Sequence, residues 1–317
     1  MSDRVNALVI GCGRIGAGSG TRQQRASSHA GVISSSSAFN LHLFDDNRSI
    51  TIEAAEVLGA RALEEVQTSH LSGFGLVAVC TPTKTHSEYL TRLLSAEVPL
   101  IVCEKPICDT MLELEAAVKA QSKGSSRVLV NYIRRFQPAY LELRSKLSQL
   151  SKEQELRACT VRYQRGFLNN GSHAISLLQF LLGWKIEDAT FEVASATADE
   201  ILDDATISGF GVWNGASFSM VGLPYVRFSL FEIDLFYERD AVRISDRGDT
   251  IETAVSSEKR EYYSPLQTEK CQTGCLEEPM VNLYRFVEKM IASQTTGDNF
   301  AEAVALTRWM LQVREAA

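Results

Sequence analysis

The chain has 317 residues, of which 45% are hydrophobic and 22% charged, and its formal net charge is −7. This length and composition are typical of a globular protein with two domains, each burying its own core. The acidic balance, with a pI near 5.4, argues against general affinity for nucleic acid. No apolar run approaches the roughly 18 residues that a membrane span needs.

The amino terminus and the cysteines bear on the cellular compartment. The start, MSDRVNALVIGCG, has too short an apolar run for a signal peptide and leads into a glycine turn. The seven cysteines are odd in number, so we expect reduced thiols and a cytoplasmic protein. Cys271 and Cys275 form a C-x3-C pattern that no histidine or cysteine cluster joins. We therefore expect no metal site there.

The first apolar run, VNALVI at residues 5–10, leads directly into GCGRIG. The pattern G-x-G-x-x-G after a strand is typical of a dinucleotide-binding turn. The first glycine makes the tight turn, the second admits a pyrophosphate, and the third lets the following helix pack closely. The pattern predicts a cofactor contact at Gly11, Gly13, Arg14, Ile15 and Gly16.

A second predicted strand, LHLFDD, ends in an acidic residue, Asp45, that is expected to bind the hydroxyls of a cofactor ribose. Asp45 lies 29 residues after Gly16, where about 20 is usual. We assign the excess to the polar segment 18–31, interpreted as a loop insertion near the mouth of the site. An acid at this position favours NAD because it would repel a 2′-phosphate, whereas Arg48 would accommodate one. NADP therefore stays open as an alternative.

The alternation of strands and helices continues to residue 132. Predicted helices at 49–59, 83–97 and 109–123, the last with Asp109 as its N-cap, alternate with buried strands at 75–80, 99–104 and 127–132. This alternation predicts a doubly wound parallel sheet, which binds ligands beyond the carboxyl ends of its strands. The residues placed at those ends are Thr81, Pro82, Glu104, Lys105 and Asn131.

One of these strand ends carries the motif Glu104-Lys105-Pro106, and with it the sequence resembles the Gfo/Idh/MocA family of oxidoreductases. The resemblance spans nearly the whole chain and depends on motifs in a fixed order. These are GCGRIG at 11–16, VAVCTPTKTHSEYL at 77–90, IVCEKPICDT at 101–110, NYIRRFQPAY at 131–140, NNGSHAISLLQFLLG at 169–183 and NFAEAVALTRWMLQVREA at 299–316.

The resemblance implies a Rossmann domain over residues 1–130 and an α/β domain with a large, mostly antiparallel open sheet over 131–317. The last helix, 299–316, is placed to pack back on the first domain. The sequence agrees, because β-rich or alternating segments lie at 156–166, 187–196, 205–213, 215–222, 226–237 and 240–246, with a hairpin turn at 238–240. An open sheet needs cover on its second face, so we expect a homodimer or homotetramer.

The resemblance also implies an activity, hydride transfer between nicotinamide C4 and a carbinol carbon of a sugar, cyclitol or related polyol. Such a reaction needs a base for the hydroxyl proton and a positive group for the developing oxyanion. The family motifs map these tasks onto Lys105 and His173. His173 lies in the first turn of the predicted helix, where the positive end of the helix dipole would keep its ring neutral.

Two positions depart from the family pattern. Asn169 stands where many members have an aspartate, and Ser176 stands at a second position that is often acidic. An amide hydrogen-bonds a hydroxyl but cannot take its proton. Three interpretations follow, in this order: Lys105 and His173 suffice, with Asn169 as a hydrogen-bonding partner; the substrate supplies its own carboxylate; or the protein binds cofactor without efficient turnover.

The remaining candidates are secondary contacts. For the cofactor they are Thr81 and Pro82 near the adenosine, Glu104 near the nicotinamide ribose, and His86 at the start of a helix, interpreted as either structural or close to the ribose. For the substrate they are Asn131, Arg134, Tyr163, Arg165 and Asn170, together with His173. One of the paired arginines Arg134 and Arg135 would suit an anionic substrate group.

The sequence therefore predicts a cytoplasmic NAD-dependent dehydrogenase or reductase that acts on the CH–OH groups of a sugar or cyclitol. The alternative is a non-catalytic regulatory protein that binds NAD(P) on the same scaffold, which the missing carboxylates favour. A weaker third hypothesis is reduction of another group, such as an imine or a linear tetrapyrrole, because a fold alone does not select a reaction.

Overall fold

The computed structural model describes residues 4–18, 27–199, 201, 203–256, 264–295 and 297–317. The chain forms two compact units. The first holds the residues up to Ile133 together with Glu278–Val304, and the second holds Arg134–Glu277 and Ala305–Ala317. Residues Glu278–Val304 thus group with the first unit, although they follow the second sheet in the chain.

The first unit is built on a six-stranded parallel sheet, ordered β3-β2-β1-β4-β5-β6. The predicted doubly wound sheet is therefore confirmed, and its order reverses between β1 and β4, where such folds bind ligands. The two-residue strand β3 was too short to be predicted. The strands are β1 Val5–Ile10, β2 Phe39–Phe44, β3 Arg61–Ala62, β4 Leu76–Val79, β5 Leu100–Cys103 and β6 Arg127–Val130.

The predicted helices form, with ends shifted by a few residues, and four further helices were not predicted: His29–Ser35, Thr68–Leu71, Pro138–Leu150 and Pro279–Ile291. One cap differs: α5 begins after Thr110, whose hydroxyl accepts from the Glu113 amide and donates to its carboxylate, so Thr110 replaces the predicted Asp109. No helix in the described parts of the chain is long and apolar enough to cross a membrane. The helices are α1 His29–Ser35, α2 Arg48–Leu58, α3 Thr68–Leu71, α4 Thr83–Ser95, α5 Met111–Gln121, α6 Pro138–Leu150, α7 Ser172–Leu182, α8 Pro279–Ile291 and α9 Phe300–Ala316.

The second unit is built on an eight-stranded sheet, ordered β14-β13-β12-β11-β7-β10-β9-β8. Only the β7–β10 pair is parallel among these described strands, so the predicted large, mostly antiparallel sheet is confirmed. Residues 187–191 and 226–230 lie outside the strands, and β13 and β14 were missed. The strands are β7 Leu156–Tyr163, β8 Glu192–Thr197, β9 Thr206–Trp213, β10 Ala216–Gly222, β11 Phe231–Tyr237, β12 Asp240–Ser245, β13 Thr250–Ser256 and β14 Leu266–Gln272.

The two sheets bury their side chains in different ways. Strands β4 and β5 are buried at every residue, as expected where helices cover both faces of a parallel sheet. Strand β7 instead has buried residues at alternate positions along most of its length, with exposed or half-buried ones between them. One face of the second sheet is therefore packed and the other is much more open.

Candidate active site

The glycine turn after β1 has the geometry that the sequence predicts. Gly11 has a φ of +93°, and a side chain there would meet the backbone of Cys80. At Gly16 a Cβ atom would lie 1.8 Å from the Gly11 carbonyl oxygen, so the close packing excludes any larger residue. A Cβ atom at Gly13 would meet nothing within 4 Å. The second glycine therefore faces open space, as the approach of a pyrophosphate requires.

The helix that follows the turn is interrupted by the predicted insertion. The amides of His29 and Ala30 donate to the carbonyls of Ile15 and Gly16, so α1 begins directly against the glycine turn. Without residues 18–28 the spacing from Gly16 to Asp45 would be 18 residues, close to the usual value of about 20. Part of the predicted insertion, residues 19–26, lies outside the described residues. Its end, from His29, is a buried helix and not a loop.

A cleft of about 600 Å³ lies at the carboxyl ends of β1, β2 and β4. Many of the predicted cofactor residues line this cleft. Two aromatic residues that no motif indicated, Phe44 and Tyr89, line it as well. In the described part of the chain, the Thr81 Oγ1 atom is a buried oxygen without a hydrogen-bond partner. The cleft is lined by Ile10, Gly11, Gly13, Arg14, Ile15, Phe44, Asp45, Asp46, Cys80, Thr81, Pro82, Thr85 and Tyr89.

These features fit a dinucleotide. Asp45 Oδ2 accepts from the Cys12 amide at 2.8 Å and Oδ1 accepts from the Asn47 amide at 2.9 Å. Each carboxylate oxygen keeps capacity for a second donor, such as a ribose hydroxyl. Arg48, predicted to accommodate a 2′-phosphate, instead pairs with Glu64 at 2.5 Å. A phosphate would have to compete with that carboxylate for the guanidinium.

Lys105 follows β5 at the carboxyl edge of the first sheet and is half-buried. The neighbouring Glu104 accepts at Oε1 from His29 Nε2 at 2.9 Å and from Asn131 Nδ2 at 2.6 Å. Burial acts to raise the pKa of Glu104, but hydrogen bonds from His29 and Asn131 and the charge of Lys105 lower it below its ordinary value. Glu104 is therefore an ionised neighbour of Lys105.

Two predicted ligand contacts in this unit have structural partners instead. His86 is buried, and its ring nitrogens lie 2.8 Å from the Pro106 carbonyl oxygen and 2.7 Å from that of Thr81. Because both nitrogens are engaged, His86 ties the end of β5 to the end of β4, and the structural interpretation is favoured over a ribose contact. Asn131 is also buried and supports Glu104, whereas it was predicted to bind substrate.

His173 is half-buried in α7, but its place in the helix differs from the prediction. A π-helical turn over Phe167–Gly171 precedes α7 with continuous helical backbone, so His173 is not in the first turn. The free amides lie earlier, where the Asp204 carboxylate accepts from Leu168 at 2.9 Å and from Asn169 at 2.8 Å. The argument from the helix dipole is therefore wrong for His173, because the dipole acts mainly within the first turn.

The sequence did not indicate the role of Asp204. This residue lies about 35 residues after the Leu168 and Asn169 amides that it caps. Burial raises its pKa, while hydrogen bonds from the Leu168 and Asn169 amides act in the opposite direction. The carboxylate also packs against Gly166, where a Cβ atom would lie 2.1 Å from Asp204 Oδ2. Asp204 thus fixes the turn that leads to His173.

Asn169 and Ser176, which stand where many family members have acids, make different contacts. Asn169 Nδ2 donates to the Arg165 carbonyl oxygen at 3.0 Å, so the amide helps to hold the turn. Ser176 is buried, and its Oγ atom has no hydrogen-bond partner among the described residues. Ser172 and Gln179 lie along the same part of α7 and are buried as well.

The other predicted substrate contacts in the second unit vary in exposure. Tyr163 is fully buried and its hydroxyl donates to the Ile207 carbonyl, so this prediction is wrong. The Arg134 guanidinium stacks 3.8 Å from the centre of the Phe231 ring and donates to the Arg247 carbonyl, contacts that favour a structural role. Arg135 is buried near the Phe180 ring. Arg165 is exposed, and Asn170 is half-buried, as His173 is.

A model of the Gfo/Idh/MocA group, described as an oxidoreductase family with an NAD-binding Rossmann fold, matches residues 5–132. Over these residues the chain is similar to the Rossmann domain of the Gfo/Idh/MocA oxidoreductases. The matched region includes the glycine turn, Asp45 and the Glu104-Lys105-Pro106 motif. The resemblance predicted from the sequence is therefore confirmed, and so is its NAD-binding character at the level of the family.

Curated proteins similar to this chain include inositol 2-dehydrogenases. Inositol 2-dehydrogenase 2 of Saccharopolyspora erythraea is 30% identical over 205 residues, which are 59% of this chain and 56% of that protein. Inositol 2-dehydrogenase of Arthrobacter sp. is 26% identical over 214 residues, 62% of this chain and 60% of that protein. The chain thus matches little more than half of the length of these two relatives.

Solved structures share the fold along the whole chain. UDP-N-acetylglucosamine 3-dehydrogenase of Acidithiobacillus ferrooxidans has a TM-score of 0.75 at 17% identity, covering 99% of this chain and 98% of that one. A levoglucosan dehydrogenase in complex with NADH and levoglucosan has a TM-score of 0.76 at 15% identity, covering 99% and 97%. At these identities the matches establish the two-sheet fold.

Proposed function

We propose that this protein is an NAD-dependent oxidoreductase that transfers a hydride between nicotinamide C4 and a carbinol or carbonyl carbon of a sugar or cyclitol. The observation that carries the proposal is the position of Lys105. It stands beside an ionised Glu104 at the carboxyl edge of a sheet whose glycine turn and Asp45 line a dinucleotide-sized cleft. The inositol and levoglucosan dehydrogenases among the similar proteins support a polyol substrate.

The residues that would hold the cofactor are those of the cleft. Gly11, Gly13 and Gly16 shape the turn for the pyrophosphate, Asp45 accepts from the adenosine ribose, and the unpartnered Thr81 hydroxyl lies nearby. When bound, the nicotinamide ring accepts or donates the hydride. The pairing of Arg48 with Glu64 favours NAD over NADP, because it leaves the Asp45 charge unopposed at the ribose.

Lys105 and His173 would share the proton chemistry. The ammonium of Lys105 stabilises negative charge on the substrate oxygen and so favours loss of the hydroxyl proton. The imidazole of His173 accepts that proton in the oxidation and returns it in the reduction. Asn169 stands four residues before His173, where many family members have an aspartate, and its amide cannot accept that proton.

A second candidate is a non-catalytic protein that binds NAD(P) and responds to it. The observation that favours it concerns the two side chains that stand where many family members have acids. Asn169 is tied to the Arg165 carbonyl, and Ser176 is buried away from solvent. On this hypothesis the cofactor cleft is intact while the second unit no longer supports turnover.

One experiment separates the candidates. The full chain is incubated with NAD or NADP and a panel of cyclitols, anhydrosugars and aldoses, and reduced cofactor is followed by absorbance, while calorimetry measures NADH binding. We expect NADH formation with at least one cyclitol or sugar, and a preference for NAD. Tight NADH binding without turnover across the panel would favour the second candidate, and failure to bind either cofactor would contradict both.

Cofactor choice has its own test in Asp45. Asp45→Ala should weaken NADH binding by about tenfold, the worth of one or two hydrogen bonds to a charged acceptor, and change NADPH binding much less. Asp45→Asn is the matched control, because it keeps the size of the side chain and removes its charge. Equal losses for NADH and NADPH in the alanine variant would contradict the assignment of Asp45 to the ribose.

The open face of the second sheet supports a homo-oligomer. Phe210, Val212, Val221 and Phe236 share this face by strand register, and each is at least 41% exposed. Arg162 lies among them and pairs with Glu232 and Asp234. Exposed apolar rows on a sheet are typical of surfaces that associate, and the proposed occupant is the same face of a second copy.

Light scattering coupled to size exclusion tests this assembly. The wild-type chain should elute as a dimer or tetramer, and Phe210→Glu combined with Phe236→Glu should reduce its mass toward that of the monomer. Leu112→Glu is the control, since Leu112 is 83% exposed on α5. A monomeric wild-type protein would contradict the proposal.

A further inference from the structure

A chain of buried polar groups lies behind Glu104. Tyr284 Oη is 2.7 Å from His29 Nδ1, and His29 Nε2 is 2.9 Å from Glu104 Oε1. The same carboxylate oxygen accepts from Asn131 at 2.6 Å. His29 and Tyr284 are at most 2% exposed. Two residues far apart in the sequence, His29 and Asn131, therefore converge on one carboxylate, and Tyr284 supports His29 from behind.

The chemistry of the groups gives the direction of these hydrogen bonds. An ionised carboxylate only accepts, so His29 Nε2 carries a hydrogen and donates it to Glu104. With the ring neutral, Nδ1 then accepts from the Tyr284 hydroxyl. That hydroxyl stays protonated, because burial raises the pKa of Tyr284 well above its ordinary value. Every ring nitrogen of His29 is thus satisfied without leaving a buried donor unpaired.

The network determines the charge beside Lys105. Burial of Glu104, whose side chain is 15% exposed, raises its pKa and so acts against its charge. Its donors, His29 and Asn131, compensate for that burial. On the other side of Lys105, His86 holds the Pro106 carbonyl. The segment from 104 to 106 is therefore anchored by one buried histidine at each end.

We propose that His29 is a positioning residue that acts through Glu104, holding its carboxylate charged and in place so that the Lys105 ammonium stays at the carboxyl edge of the sheet. This inference rests on the proposed function only in treating Lys105 as a catalytic residue. The His29 side chain bonds to Glu104 and Tyr284, and neither of these residues lines the cofactor cleft. The titratable groups around Glu104 that bear on the proposal are His29, Lys105, Tyr284, Cys80 and Cys103.

Two amide variants of His29 form a matched pair for the test. The nitrogen of His29→Gln reaches about as far as Nε2 and can still donate to Glu104, whereas the shorter amide of His29→Asn stops near the position of Nδ1. Both replace the ring by a neutral amide, so the loss of ring packing is shared. Glu104→Gln removes the charge and keeps the side-chain shape.

The first readout is the reactivity of Lys105, which needs no substrate. The full chain is labelled with trace acetic anhydride across a pH series, and peptide mass spectrometry gives the midpoint for Lys105. We expect Glu104→Gln to lower the midpoint by about one pH unit, His29→Asn to lower it by part of that amount, and His29→Gln to stay near wild type. An unchanged midpoint in Glu104→Gln or in His29→Asn would overturn the proposal.

The second readout is turnover with a polyol substrate. His29→Asn should lower kcat by about tenfold while the KM for NAD changes less than about twofold, and His29→Gln should recover most of the rate. Equal rates for the two variants would also overturn the proposal. If no substrate is oxidised by the wild type but the labelling order holds, the proposed function fails and the positioning of Lys105 by His29 stands. If His29→Asn does not fold, the labelling midpoints of Lys105 in Glu104→Gln and His29→Gln still test the proposal.

Discussion

The segments that carry Lys105 and His173 are built in different ways. Lys105 follows a buried parallel strand and neighbours an ionised carboxylate, with buried histidines anchoring the residues on either side. His173 lies in a helix whose start is capped by Asp204, and its nearby polar residues, Asn169 and Ser176, are neutral. On the proposed function, the first segment would supply the charge that stabilises the oxyanion, and the second would supply the base.

The largest expected effect follows from removing that charge. Lys105→Ala should reduce kcat by about 10³–10⁴-fold, because both the oxyanion and the loss of the hydroxyl proton depend on the ammonium. NADH binding, measured by calorimetry, should change little. Lys119→Ala, at an exposed lysine on α5, is the control. Full activity of Lys105→Ala on a substrate that the wild type oxidises would refute the role of Lys105.

A smaller effect is expected on the side of the base. His173→Gln should lower kcat by about 10²–10³-fold and remove the low-pH limb of the profile of kcat/KM, since a protonated imidazole cannot accept the hydroxyl proton. His70→Gln is the control, because His70 is exposed in α3. If the low-pH limb survives in His173→Gln, another group is the base.

The smallest effect concerns the cap of the helix that carries His173. Burial raises the pKa of Asp204 above its ordinary 3.8, so its protonated form is favoured on folding. Its contribution to stability is therefore full below that ordinary value and is lost as the pH rises through the folded pKa. Asp204→Asn keeps one acceptor for two amides and should cost about 1–2 kcal/mol in acid.

Because the amide does not titrate, the cost of Asp204→Asn should shrink toward neutral pH. Urea unfolding at about pH 5 and about pH 8 measures the difference. A cost that grows with pH would show that Asp204 is stabilised as an anion in the folded state. Asp203→Asn, at the neighbouring exposed position, controls for a change of net charge.

Much of the first unit follows from local sequence signals. Apolar strand runs and the glycine pattern predict the parallel sheet, and topology then places Lys105 at its carboxyl edge. The roles of His29 and Asp204 did not follow, because their partners lie 75 and about 35 residues away, at Glu104 and at the Leu168 and Asn169 amides. Tyr163 was misassigned for the same reason, since only the fold brings the Ile207 carbonyl to its hydroxyl.

The central claim is that Lys105 and His173 act on one substrate hydroxyl. A double-mutant cycle tests it most directly, with kcat measured for wild type, Lys105→Ala, His173→Gln and the double variant on the same polyol. If both groups serve one proton transfer, the double variant should be about as slow as Lys105→Ala alone, because groups that act as a unit are strongly non-additive. Losses that simply multiply would show that the two residues act independently, and would contradict the account.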